Sequence, residues 1–203
     1  LTKKYEKKQK LINEKKRQDK YLAYLDHIRD EIKRKCKEQS DILAENMISP
    51  EECADRIAEE STKLWERVIG QNDFLRLRLG LGNLPLDADV KYPGKKFSMD
   101  DDNLQDAMLS LGAEPKQLNN VPISVSFVEN MTVGVYGEYA STLNMLKSLV
   151  LQMISLHSYD ELKILLITDE NDADEWRFVR PIPHFWNDDK TVRFFASNAD
   201  EVK

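Results

Sequence analysis

The sequence predicts an α/β domain carried on a long N-terminal helix, and three observations predict it. From Tyr5 to about Asn46 there is neither proline nor glycine, and Glu, Lys, Gln and Arg dominate, which favours one continuous helix. Further on, short runs alternate apolar and polar residues with period two, as half-buried strands do. An apolar helical stretch over about 141–157 then leads into the unbroken apolar run Lys163-Ile-Leu-Leu-Ile-Thr168, a strand–helix–strand order.

Composition sets the outline. A chain of 203 residues with 41% hydrophobic content can bury one substantial core, and the first fifty residues are too charged to belong to it. The expected organisation is a basic helical stalk over 1–48 and an α/β domain over 49–203. Formal net charge is −6, yet the first twenty residues hold nine Lys/Arg against Glu6, Glu14 and Asp19, leaving that end at +6 and the remainder at −12. A basic cluster from Lys3 to Lys20 suits an anionic lipid surface or nucleic acid, or is simply a solvated helix face. The acidic body argues against nucleic acid wrapping the whole domain.

No run of about twenty apolar residues exists, so nothing in the sequence spans a bilayer, and no signal peptide is seen. The start at Leu1 without methionine leads to the expectation of a piece of a longer protein. Cys36 and Cys53 lack metal-ligand spacing and suit reduced thiols in a cytosolic setting. His27, His157 and His184 are scattered singly and read as surface or packing residues.

Element by element, Tyr21, Leu25, Ile28 and Ile32 make one narrow apolar stripe on the first helix. Gln18, Lys35 and Gln39 interrupt it, so a connecting stalk is expected rather than a long coiled coil. Ser49-Pro50-Glu51-Glu52 is a helix start, with Ser49 as cap, and that helix is expected to run to about Val68 with Trp65 as a packing anchor. From Leu75 to Gly82 leucines alternate with arginines and glycines, predicting a strand with Arg76 and Arg78 on its outer face. Residues 83–96 read as loop, and Ser98 with Asp101 as the start of a short helix that Gly112 ends.

Ile123, Val125 and Phe127 predict a strand that meets Val133 and Val135 through a turn at Glu129-Asn130. The helix over about 141–157 is apolar on more than one face, as a helix packed on a sheet is. The strand 163–168 is expected to be covered on both faces and parallel to the first. Asn171 or Asp172 caps a short helix to Val179, Thr191 to Phe195 offers one more strand, and Ser197 to Glu201 begins a helix expected to continue past Lys203.

The stretch Thr132-Val-Gly-Val-Tyr-Gly-Glu-Tyr-Ala-Ser-Thr-Leu-Asn144 has the shape of a phosphate-binding loop, strand then glycine turn then helix. A working P-loop reads G-x-x-x-x-G-K-[ST]: amides cradle the phosphates, the lysine reaches the terminal ones, and the hydroxyl holds magnesium. Counting from Gly137 puts Leu143 or Thr142 at the lysine place, so the cation is missing in either register. Gly137, Glu138, Ser141 and Thr142 are the nucleotide-binding candidates of this degenerate loop, with ATP and magnesium as weak cofactors. Ile164 to Glu170 looks like a Walker B strand, making Asp169 and Glu170 the candidates for catalysis, although such a strand commonly comes later in RecA-like ATPases. Strand-end acids are also ordinary turn formers. Bare backbone dipoles offset only part of a triphosphate's charge, so fast hydrolysis is not expected.

The motifs Leu64-Trp-Glu-Arg67, Asp73-Phe-Leu-Arg-Leu-Arg-Leu-Gly80, Val121-Pro-Ile-Ser-Val125, Val133-Gly-Val-Tyr-Gly137, Leu146-Lys-Ser-Leu-Val-Leu-Gln152 and Pro183-His184, in this order, resemble the membrane-proximal cytosolic domain of the FtsK/SpoIIIE-type ATPase of type VII secretion systems (EssC/EccC-like). The resemblance covers the chain from Ser49 onward. It implies a three-layer α/β domain of the P-loop NTPase kind (RecA/FtsK-like) in degenerate form, in a parent whose export is ATP-driven. It further implies two preceding transmembrane helices, following FtsK-like ATPase modules, WXG100-type protein cargo for the parent, and a basic helix leaving the cytoplasmic face of the plasma membrane, in line with the positive-inside tendency. Three roles stay open: a coupling or regulatory domain without its own hydrolysis, an atypical but active ATPase using residues around Gly137, Ser141, Thr142 and Asp169, and a plain structural adaptor with no nucleotide link, which leaves the glycine turn accidental.

Overall fold

A computed structural model describes residues 2–94 and 103–201. The chain folds as two compact units, one built from residues 1–46 and 81–121, the other from 47–80 and 122–203. Mixed α/β composition and a long first helix are as expected. Each of the two sheets has two strands, so among the described residues there is no continuous parallel sheet with helices on both faces.

In the first unit, α1 (Thr2–Asn46) is continuous, as its composition requires. Its apolar stripe does not stand bare. Tyr21, Leu25 and Ile28 line a groove of about 280 Å³ together with Tyr92 and with Met108 and Leu111 of α3 (Leu104–Ala113). Arg29 bonds Glu114 at 3.0 Å beside it. Ile32, Cys36 and Leu43 pack on the buried Leu86, Leu118 and Val121. From Tyr21 onward the apolar stripe of the helix therefore packs against residues within 84–94 and 104–121. Gln39, read as an interruption of the stripe, points its amide at Asp87: Oε1 accepts from the backbone N–H at 3.0 Å, and Nε2 donates to the carbonyl at 2.8 Å. The helix start expected at Ser98 and Asp101 lies outside the described residues. Gly112 sits within α3 rather than after it, and a Cβ there would meet the Tyr92 ring at 2.8 Å.

In the second unit, Ser49 caps α2 (Pro50–Ala58) by accepting from the Glu52 N–H at 3.2 Å. The helix stops ten residues short of the expected Val68. Glu60 takes a left-handed φ of 49°, and the Ser61 N–H bonds the Arg56 carbonyl at 3.0 Å, which is a Schellman closure made without the usual glycine. The following segment has a different task. The Trp65 N–H, the Trp65 indole and the Arg67 N–H donate to the carbonyls of Ser155, Ile154 and Leu156 at 2.9, 3.1 and 3.0 Å. Those carbonyls close α4 (Tyr139–Leu156), whose last turn would otherwise be buried unsatisfied. Trp65 thus anchors by hydrogen bonds and an edge contact on Tyr159, not by a helical face.

β1 (Arg76–Pro85) and β2 (Gln117–Ser126) pair with each other. Bonds from Leu86 N–H to the Lys116 carbonyl and from Phe127 N–H to the Leu75 carbonyl make the pair antiparallel. This overturns the expected hairpin: β2 takes β1 as its partner, and residues 132–136 form no strand. Period-two patterning marks strand competence without naming the neighbour, which long-range packing decides. On β1, Leu77 is buried while Leu79 and Leu81 are exposed. The arginines are not merely solvated: Arg78 donates to the Met47 carbonyl at 3.1 Å, and Arg76 reaches Glu129.

The run 163–168 contributes only β3 (Leu166–Ile167), which pairs parallel with β4 (Phe195–Ala196) rather than with a strand before α4. It is covered on one face alone, with Leu165 66% and Ile167 62% exposed. The core gathers Val150, Trp176, Val179, Phe185 and Phe195, with Leu166 packed against it. Residues 170–179 form a 3-10 helix capped by Asp169, not by Asn171 or Asp172. Among the described residues no helix is long and apolar enough to cross a membrane.

Candidate functional site

The four loop candidates come together at the start of α4. Glu138 is its N-cap residue, extended at φ −66° and ψ 140°. The Glu138 carboxylate does not cap a backbone amide; it accepts from the Ser141 hydroxyl at 2.8 Å. Gly137 has no left-handed φ, and a Cβ there would stand 3.3 Å from Thr142 Oγ1. The turn therefore brings Gly137, Glu138, Ser141 and Thr142 side by side but gives the helix start a fixed negative charge.

Below this turn lies a trough of about 610 Å³, walled by Val133, Leu143, Leu146, Leu149, Met153 and Leu166. Thr142 and Thr168, the residue before Asp169, also line it, so both predicted clusters border one cavity. At its edge the Tyr139 hydroxyl donates to Asp172 Oδ1 at 2.7 Å, and that carboxylate holds the phenol above its ordinary range. Asp169 is engaged in its own turn: Oδ1 accepts from the N–H and side-chain amide of Asn171 at 2.9 and 2.6 Å. Glu170 is exposed in the first turn of the 3-10 helix. Lys147, one turn beyond Leu143, is held by Glu175 at 2.6 Å.

These groups fit Mg-ATP poorly. A triphosphate at a helix start needs positive charge and donors aimed at it. Here the helix start presents Glu138, the strand end presents Asp169 and Glu170, and the nearby lysine is already neutralised. The cavity itself is dominated by leucine, valine and methionine. No group of three or more His, Cys, Asp or Glu able to hold a metal occurs among the described residues.

Sequence reading missed two things. The trough has a signal in the apolar residues on several faces of the 141–157 stretch, a pattern that sheet packing alone also explains. The meeting of two histidines had none: His157 and His184 are both buried, and His184 Nε2 donates to the His157 carbonyl at 2.9 Å. His157 itself is neutral, donating from Nδ1 to Met153 O at 3.2 Å and accepting at Nε2 from the Leu75 N–H at 3.0 Å. Burial depresses it to about 4.

No protein-family model matches the chain. It is 27% identical over 181 residues to the ESX secretion system protein YukB of Bacillus subtilis (strain 168), covering 89% of this chain and 12% of that protein. It is 25% identical over 181 residues to the ESX secretion system protein EccC of Geobacillus thermodenitrificans (strain NG80-2), with the same coverage of each. It is also 25% identical over 183 residues to the type VII secretion system protein EssC of Staphylococcus aureus (strain NCTC 8325 / PS 47), covering 90% of this chain and 12% of that one. The chain thus spans about an eighth of the length of the curated relatives it matches. The likeness to EssC/EccC-like proteins read from its motifs is shown by these relatives.

Proposed function

We propose that this chain serves type VII secretion as a coupling domain: a degenerate nucleotide-type fold on a basic helix, linking a membrane part to FtsK-like motor modules without hydrolysing ATP itself. Relatives named as type VII and ESX secretion proteins support the role in that machinery. The observation that carries the choice of coupling over motor is the start of α4, where the Glu138 carboxylate accepts from Ser141 at 2.8 Å in the place a phosphate would need. A carboxylate there repels a triphosphate and uses up the hydroxyl that would meet it or its metal. In this reading domain contacts carry the signal, the other secretion components and the motor modules are the partners, and helical cargo is handled by the parent machine. The chain works at the cytoplasmic face of the membrane, and Lys3 to Lys20 face anionic lipid.

Calorimetric titration with Mg-ATP tests the reading. The chain is expected to give no saturable heat up to millimolar nucleotide, with Asp169→Ala indistinguishable from it. Saturable binding that Asp169→Ala abolishes, together with magnesium-dependent turnover, would overturn the proposal in favour of an atypical active ATPase. Glu138→Gln is expected to raise nucleotide affinity, because it removes the repelling charge while keeping an acceptor for Ser141.

A further inference from the structure

Residues 132–136 and the outer edge of β3 are two unfinished halves. On its inner side the strand is paired: the N–H groups of Ile164, Leu166 and Thr168 donate to the carbonyls of His184, Phe194 and Ala196 at 2.9, 3.0 and 2.9 Å. Strand alternation then turns the amides of Leu165 and Ile167 to the opposite edge, where no backbone partner meets them among the described residues. Such an edge is a template for one more strand.

The chain holds a segment suited to it. Thr132-Val-Gly-Val-Tyr136 has β-branched residues at alternate places, forms no strand, and shares the walls of the trough with Leu166, Ile167 and Thr168. Val133 is partly exposed and Tyr136 wholly so. The segment leads directly into α4, which returns the chain to β3, and a helical crossover of that length is the connection that parallel neighbours require. Nothing stands within 4 Å of a Cβ built on Gly134, so a side chain can be placed there without meeting a neighbour.

We propose that residues 132–136 exchange between the observed coil and a third strand paired parallel with the outer edge of β3, closing the trough. The terms that decide the balance are of similar size: burial of two valines and formation of ladder bonds on one side, ordering of five residues including a glycine on the other. A near-balanced element of this kind can be biased by a neighbour that touches it, which is what transmission through a domain requires. The pairing is independent of the coupling role and of nucleotide, since its readout involves neither.

Amide hydrogen exchange on the whole chain tests it, following Leu165 and Ile167 with Leu166 and Thr168 as folded-state references. Gly134→Val raises strand propensity where the added side chain meets no neighbour, and is expected to slow exchange at Leu165 and Ile167 by about fivefold or more with the references unchanged. Val135→Pro removes a ladder donor and is expected to speed exchange at the same two amides. If Gly134→Val leaves Leu165 and Ile167 exchanging as before, or all four amides lose protection together, the proposal is wrong.

Discussion

Gln152 of α4 holds Arg78 of β1 by both of its backbone polar groups. Its Oε1 accepts from the Arg78 N–H at 2.8 Å, and its Nε2 donates to the Arg78 carbonyl at 2.9 Å. A side-chain amide thus stands in for a neighbouring strand. Gln152 is 1% exposed, so neither backbone group has water to fall back on. Gln152→Leu keeps the volume but leaves both groups unsatisfied, and is expected to destabilise the chain by about 2–4 kcal/mol in urea unfolding. Gln152→Glu, which keeps the acceptor and loses the donor, is expected to cost less at low pH than at neutral pH, because protonation restores a donor.

Trp65 should be separable into its ring and its indole nitrogen. The N–H donates to the Ile154 carbonyl at 3.1 Å while the ring meets Tyr159 edge-on at 5.4 Å. Trp65→Phe retains the aromatic contact and removes the bond, for an expected loss of about 1 kcal/mol. Trp65→Ala is expected to lose distinctly more, and thermal melts of the two variants check the difference.

His157 makes stability depend on pH. In the fold it is neutral and pushed down to about 4, against 6.5 for an unhindered imidazole; desolvation is the main cause, and the Arg67 and His184 charges add to it. The unfolded chain therefore binds a proton that the folded chain refuses. Stability is fully present above pH 6.5 and falls as pH drops from there to about 4, by roughly 3 kcal/mol in all. Urea midpoints measured across that window should decline, and His157→Gln should flatten the decline. His184, depressed by the same burial, is expected to contribute in the same direction.

The basic end of α1 should meet anionic vesicles without inserting. Lys7, Lys8 and Lys10 are exposed. Flotation with phosphatidylserine-containing vesicles is expected to recover the chain at low ionic strength, with recovery falling steeply in added salt. Charge reversal at Lys7, Lys8 and Lys10 is expected to abolish it. Equal recovery with neutral vesicles would count against an electrostatic surface.

Glu60 offers a stabilising change. Its left-handed φ of 49° at the end of α2 is one that glycine adopts without strain. Glu60→Gly is expected to raise stability by up to about 1 kcal/mol in urea unfolding, with α2 unchanged by circular dichroism.

Local signals in the chain were dependable where a short stretch decides its own state. The absence of Gly and Pro over α1, the Ser49-Pro50 start of α2 and the apolar density of α4 each act within a turn or two, and each became the element expected. Gly137, Glu138, Ser141 and Thr142 fall within six positions, and the helix start keeps them together. What they do there was less legible. Glu138 turns its carboxylate to Ser141, and Asp169 turns its own to Asn171, choices that depend on which acceptor or donor lies nearest in space.

Short-range patterns sufficed for the course of α1, the start of α2, the position of α4, the missing lysine at the glycine turn and the likeness to secretion proteins. That β2 pairs with β1 and not with 132–136, that the side-chain amides of Gln39 and the buried Gln152 clamp distant backbone, and that His157 meets His184 emerged only from long-range packing. The physical reason is range. Helix propensity and capping are settled by neighbours three or four residues apart, whereas strand partners and buried polar pairs are settled by which distant groups can satisfy one another once water is gone.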